Sequence, residues 1–255
     1  MRSLPVGFLA LACLCLTAGL THAQAKKGGQ ENAATKPSPR TSQQPDPGWM
    51  KRHETFVGIA KKGEVDVLFL GDSITDAWGG EGHGANAAGS KLFAERFVPL
   101  KAANFGIGGD QTQHVLWRMQ NGELDGIQPK VVMLMIGTNN MGGNAAEQIA
   151  AGVTAIVKEI HKRSPGTKVL LLGIFPRAEK ADNPVRAKIK ETNAIIAKLD
   201  DGGKSVQYLD IGEKFLEADG SLSREIMPDF LHLSPKGYGI WADAVEKPIK
   251  ELLAK

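Results

Sequence analysis

Val65-Asp66-Val67-Leu68-Phe69-Leu70-Gly71-Asp72-Ser73-Ile74-Thr75 is the stretch on which the reading of this chain turns. Val65 to Leu70 is an apolar run of strand length that stops at a glycine, and a serine stands two residues beyond it, ahead of a short helical segment. The same grammar recurs along the chain. Lys101 to Phe105, Val131 to Ile136, Lys168 to Ile174 and Val206 to Leu209 read as further strands. Asp110 to Gln120, Ala145 to Arg163, Pro184 to Leu199 and Lys236 to Leu253 carry helical periodicity between or after them. The third and fourth strands are almost continuously apolar, as expected where both faces of a sheet are covered.

This βα rhythm predicts an α/β fold, a flavodoxin-like three-layer α/β/α sandwich with a parallel sheet of about five strands. In such folds chemistry gathers outside the carboxyl ends of the strands. Composition agrees with one globular domain: 255 residues, 42% hydrophobic and 23% charged. Lys and Arg total 31 against 28 for Asp and Glu, and this net charge of +3 is not gathered into a basic stripe, so nucleic acid is not an expected partner.

The first residues read as a targeting signal. Arg2 supplies the positive charge, Val6 to Leu20 the apolar stretch and Ala23 or Ala25 the small residue at a cleavage site, so residues 1–25 are expected to be a signal peptide. The apolar stretch falls short of the roughly 20 residues that span a bilayer, so no stable membrane insertion is expected after cleavage. The implied location is periplasmic or extracellular. Cys13 and Cys15 both lie in this leader, leaving the mature chain without a disulfide or a thiol nucleophile. Residues 26–48 are Lys, Gly, Gln, Pro, Ser and Thr with almost nothing apolar, the composition of a disordered linker. The catalytic domain is expected over residues 49–255, opening with Trp49, Phe56, Val57 and Ala60 at helical spacing.

Four segments at the ends of successive strands carry chemistry. In Gly71-Asp72-Ser73-Ile74-Thr75 the serine is presented at a strand's carboxyl end; its blander role would be to cap the following helix. The α/β-hydrolase elbow is absent, because Thr75 stands where its second glycine would be. Asn104-Phe105-Gly106-Ile107-Gly108-Gly109-Asp110 can turn a backbone N–H toward a ligand oxygen, or can be a tight turn with Asp110 as helix N-cap. It fails as a dinucleotide fingerprint, since Gln111 replaces the last glycine. In Gly137-Thr138-Asn139-Asn140 an asparagine amide can donate to a developing oxyanion, or simply shape a turn. In Asp229-Phe230-Leu231-His232-Leu233 a spacing of three can bring a carboxylate to the imidazole and fix its tautomer, which sets His232 apart from the other histidines. His83 has only Glu81 nearby and no chelating spacing, so no metal and no cofactor is expected.

Together these segments resemble the SGNH/GDSL hydrolase superfamily. The resemblance implies Ser73 as nucleophile, His232 as general base and Asp229 as its orienting partner. It also implies an oxyanion hole from the N–H groups of Ser73 and Gly109 and the amide of Asn139. The stretches His114-Val115-Leu116-Trp117-Arg118, Asn121-Gly122-Glu123-Leu124 and Phe175-Pro176-Arg177 further resemble the catalytic subunits of intracellular platelet-activating factor acetylhydrolases. That likeness implies an acetyl site lined by Ile74, Thr138 and Leu231. The glycine-rich stretch Gly79 to Gly89, and the leader, depart from it.

The expected activity is hydrolysis of short-chain, acetyl esters through an acyl-enzyme, with O-acetyl groups on a carbohydrate as the leading substrate because export suits an extracellular polymer. A lipase-like, lysophospholipid or platelet-activating-factor type of acylhydrolase is the alternative. A non-catalytic carbohydrate-binding module is the rival from another class. The expected partners are a small-molecule or glycan ester and, for assembly, a homodimer.

Overall fold

The computed structural model describes residues 1, 31–40, 47–84 and 87–255. The predicted leader and Cys13 and Cys15 lie outside the described residues. All the predicted strands form, most of them trimmed at their ends: β1 Val67–Gly71, β2 Ala102–Asn104, β3 Val131–Met135, β4 Lys168–Leu172 and β5 Val206–Leu209. They make one parallel sheet in the order β2-β1-β3-β4-β5. The winding direction reverses between β1 and β3, and at such a switch point the connections after adjacent strands diverge and leave a crevice.

The helices are α1 Pro47–Lys62, α2 Ser73–Asp76, α3 Ser90–Arg96, α4 Thr112–Arg118, α5 Ala146–Arg163, α6 Pro184–Ile196 and α7 Pro235–Leu253. Strand side chains alternate between two cores, as the period of a strand requires. Leu68, Leu70, Val132, Leu134, Val169 and Leu171 pack with α1, α4, α5 and the end of α6. Val67, Phe69, Met133, Met135, Leu170 and Leu172 pack with α3 and α7. Helices therefore cover both faces, which is why β1 and β3 are buried along their whole length and read as uninterrupted apolar runs.

Three departures bear on the site. The predicted helix from Asp110 starts later, with Gln111 as its N-cap, because Asp110 is wholly buried instead and bonds Trp49 Nε1 (2.7 Å) and Arg118 Nε (2.9 Å). That helix also breaks after Arg118, where a π-type turn, Met119–Glu123, contains Asn121 and Gly122 outside helical conformation; Gly122 has φ +112°.

The second departure corrects the disordered linker. Within it, residues 31–40 carry a 3₁₀ turn, Ala33–Thr35, capped by Asn32. Ala34 is buried, its carbonyl accepts from Thr112 Oγ1 (2.8 Å), and Asn32 Nδ2 donates to Gln148 O (3.1 Å). Low apolar content did not prevent docking, because backbone and amide groups rather than side-chain area hold this strap. α1 likewise begins before Trp49, with Pro47 in a first-turn position where its missing N–H costs nothing.

The third concerns the glycine-rich stretch Gly79 to Gly89, which departs from the family likeness. In its described part the His83 side chain is fully buried, within 2.8 Å of Asn104 O and 2.7 Å of Asp76 Oδ1. Gly89 lies so close to Trp78 and Tyr238 that a Cβ there would stand 2.8 and 2.9 Å from their rings.

Candidate active site

The turn that carries Ser73 is fixed by close packing. A Cβ on Gly71 would fall 2.2 Å from Thr75 Oγ1 and 2.4 Å from Met135 O, so only glycine ends β1 here. Asp72 caps α2 by accepting from Ile74 N (3.0 Å), which makes Ser73 the first helical residue rather than the cap. Asp72 is entirely buried, and its second carboxylate oxygen has no partner among the described residues. Burial pushes its pKa up to about 7. From α7, Tyr238 donates its hydroxyl proton to Ile74 O (2.6 Å) and pins the turn from the opposite side.

His232 is held by its own loop. Asp229 Oδ1 accepts from Leu231 N (3.1 Å) and His232 N (2.7 Å), while Phe230 takes the left-handed conformation at φ +59°. Oδ2 then lies 2.6 Å from His232 Nδ1, and His232 Nε2 lies 2.9 Å from Ser73 Oγ. Ser73, His232 and Asp229 thus form one continuous chain of bonds. Burial of Asp229 pulls its pKa upward, but the bonds from the His232 ring and backbone outweigh that and hold it below the usual carboxylate range. Both side chains stay open to solvent, His232 at 44% and Asp229 at 55%.

The other predicted residues meet at the same end of the sheet. Gly106 passes so close to α2 that a Cβ would stand 2.3 Å from Asp76 N, and Gly108 N donates to Asp76 Oδ2 (3.0 Å). Gly109 has φ +79°. Asn139, in the 3₁₀ turn Thr138–Asn140, donates one side-chain amide hydrogen to Asp110 O (2.8 Å), the second having no partner among the described residues, and its backbone carbonyl accepts from Gln111 Nε2 (2.8 Å). Ile74 and Thr138 are buried and Leu231 is half-buried beside His232. Clefts of about 500 and 510 Å³ lie elsewhere, lined by neither Ser73 nor His232.

Several residues at this site carry no motif signal of their own. Asp76 joins Gly108 N to Arg52 (2.9 Å) and His83, and these partners overcome burial to keep its pKa below the usual range. Arg177 donates to Thr138 O (3.2 Å) and lies 3.3 Å from Thr138 Oγ1. Phe175-Pro176-Arg177 is marked in the sequence only by its resemblance to the acetylhydrolase subunits. His83, weighed above as a metal ligand, is instead a buried partner of Asp76.

A five-stranded parallel sheet between helical layers, carrying a serine, histidine and aspartate at its carboxyl edge, defines a serine hydrolase of the GDSL class. Residues 69–240 match the model of the GDSL-like Lipase/Acylhydrolase family, and the chain belongs to that family of esterase and lipase-type hydrolases. Among curated relatives it is 40% identical to platelet-activating factor acetylhydrolase IB subunit alpha1 of Homo sapiens, over 89% of this chain and 94% of the relative. It is 42% identical to subunit alpha2 of Rattus norvegicus, over 88% of this chain and 92% of the relative. Among solved structures, an acetyl xylan esterase aligns with a TM-score of 0.58 at 26% identity, over 71% of this chain and 98% of that one. A GDSL-like lipase from Bacteroides thetaiotaomicron shares the fold with a TM-score of 0.63 at 20% identity, over 79% and 97%. The expectation of export is overturned by the curated relatives, which are subunits of an intracellular enzyme.

Proposed function

We propose that the chain hydrolyses short-chain esters, acetyl first among them, through an acyl-enzyme on Ser73. The bond chain Ser73 Oγ to His232 Nε2 (2.9 Å) and His232 Nδ1 to Asp229 Oδ2 (2.6 Å) carries this reading. With Nδ1–H donating a hydrogen bond to the ionised Asp229, Nε2 keeps a lone pair for the serine proton. Ser73 Oγ attacks the ester carbonyl, and the oxyanion is met by the N–H groups of Ser73 and Gly109 and the free amide hydrogen of Asn139. Collapse expels the alcohol, which takes the proton from His232. Water, deprotonated by His232, then attacks the acyl-enzyme and releases the acid.

Ile74, Thr138 and Leu231 are assigned to the acyl site. Ile74 and Thr138 are buried and Thr138 is tethered to Arg177, a fixed wall that favours a short acyl chain. For the alcohol half, the solvent exposure of His232 and Asp229 and the likeness to an acetyl xylan esterase favour an O-acetyl carbohydrate. Export, overturned by the curated relatives, lends it no support. The curated relatives favour a second reading, an acetylated phospholipid of the platelet-activating-factor kind.

The acyl reading is tested with p-nitrophenyl acetate, butyrate and octanoate below their micellar concentrations. Each methylene buried in a receptive groove would contribute about 0.8 kcal/mol, so a long-chain enzyme shows kcat/KM rising along the series. We expect it to fall; octanoate equal to acetate would contradict the acetyl reading. Acetylated xylo-oligosaccharides against an acetylated phospholipid then separate the two alcohols.

A further inference from the structure

The docked strap delivers a cation to the oxyanion turn. The strap is fixed to α4 and α5 by the Asn32 and Ala34 bonds above and by Ser38 N donating to Gln113 O (3.3 Å). Gly152 on α5 makes room for it, since a Cβ there would stand 2.7 Å from Ala34 O. At the end of this run, Arg40 Nη1 donates to Gly108 O. The guanidinium lies flat against the next residue: a Cβ on Gly109 would stand 2.9 Å from each Nη and 3.0 Å from Cζ. Gly109 is therefore glycine for two reasons, its φ of +79° and the closeness of Arg40.

The acceptor and the proposed oxyanion donor belong to one peptide unit, because the carbonyl of Gly108 and the N–H of Gly109 share a single planar amide. A charged donor on the carbonyl polarises that amide and makes its N–H a stronger donor. The same bond fixes the plane of the amide in a Gly-Gly pair that has no side chain to restrict it. Gly108 N is already tied to Asp76 Oδ2 (3.0 Å), so the Arg40 bond completes the restraint from the other side. The field of Arg40 is felt locally. His114, which accepts from Gln111 N (3.1 Å), has its pKa lowered to about 4 by burial first and then by the charges of Arg40 and Arg118.

We propose that Arg40 is a positioning residue for ester hydrolysis, acting through the Gly108–Gly109 peptide to orient and strengthen the Gly109 N–H against the oxyanion. The inference rests on the reading of Gly109 as an oxyanion donor and of Ser73 as nucleophile. It also gives the strap a catalytic purpose: a segment outside the α/β layers completes the site.

The test uses the full chain, with Arg40→Ala and Arg40→Lys compared on p-nitrophenyl acetate, and Ser73→Ala and fluorophosphonate labelling measured alongside. Removing a direct oxyanion donor costs about 10²–10³-fold, so loss of a residue one bond removed should lower kcat by roughly 10-fold in Arg40→Ala with KM nearly unchanged. Arg40→Lys should recover part of the loss, and millimolar guanidinium should raise kcat of Arg40→Ala and not of wild type. Unchanged kcat in Arg40→Ala would overturn the proposal. So would a loss confined to KM, or one that tracks the melting temperature and answers neither to lysine nor to guanidinium. Should Ser73→Ala stay active and Ser73 resist the probe, the catalytic reading fails and the Arg40 role falls with it. An inactive Ser73→Ala beside a fully active Arg40→Ala removes the Arg40 role alone.

Discussion

The Gly71–Asp76 turn and the Asp229–His232 loop hold the two ends of one hydrogen-bond chain by opposite means. Around Ser73, Asp72 and Thr75 are completely buried, Gly71 has no space for a methyl group, and α7 reaches across through Tyr238. Around His232, its side chain and that of Asp229 are about half exposed, and the loop owes its shape to the Asp229 carboxylate bonding three groups within three residues of itself. Ser73 is thus placed by the whole fold, and His232 by a local turn. Changes near Ser73 should cost stability as well as activity, whereas changes at Asp229 should cost activity alone.

The largest expected effect follows from the crowded side. Gly71→Ala should destabilise by about 4 kcal/mol or more, since its methyl would overlap a backbone carbonyl that cannot retreat without moving β3. Gly58→Ala, in α1 with nothing near the added methyl, serves as the control and should change stability by less than about 1 kcal/mol. Urea unfolding of both variants checks this, and a benign Gly71→Ala would break the contrast. On the exposed side, Asp229→Ala should lower kcat by about 10³–10⁴-fold while the urea midpoint stays near wild type. Loss of folding there would mean that the base loop also bears on the fold.

A smaller effect sharpens the comparison through pH. Asp72 has a folded pKa near 7 against 3.8 for the free group, so the native state binds its proton more tightly than the unfolded chain. Its contribution is therefore most favourable below the unfolded pKa and declines as pH rises through that window, then levels off above the folded value. Asp110, raised to about 6 first by burial, acts in the same direction. Asp72→Asn keeps the Ile74 cap and mimics the neutral acid. It should flatten part of the fall in stability between pH 5 and pH 8, by on the order of 1–3 kcal/mol. Chemical unfolding at the two pH values measures it; an equal fall in variant and wild type would show that Asp72 is not the buried charge at issue.

Much of this was legible beforehand, for physical reasons that differ by segment. Strands buried on both faces leave uninterrupted apolar runs, so β1 and β3 were readable almost to the residue. Asp229 and His232 bond within one turn, so their spacing revealed them. Asp76, His83 and Arg52 were not legible, because their partnership joins three separate elements and has no spacing to see. The strap escaped for another reason: Asn32 and Ala34 dock by hydrogen bonds, which a count of apolar residues cannot register. Asp110 looked like a helix cap because its buried partners, Trp49 and Arg118, come from other turns of the chain.

The central claim, that Ser73 is the nucleophile activated through His232 and Asp229, is tested most directly by fluorophosphonate labelling with peptide mapping of the adduct. The account predicts one adduct per chain on Ser73, no labelling and no ester hydrolysis in Ser73→Ala, and a slowed reaction in His232→Ala. An adduct on another residue, or hydrolysis persisting in Ser73→Ala at wild-type rates, would contradict it.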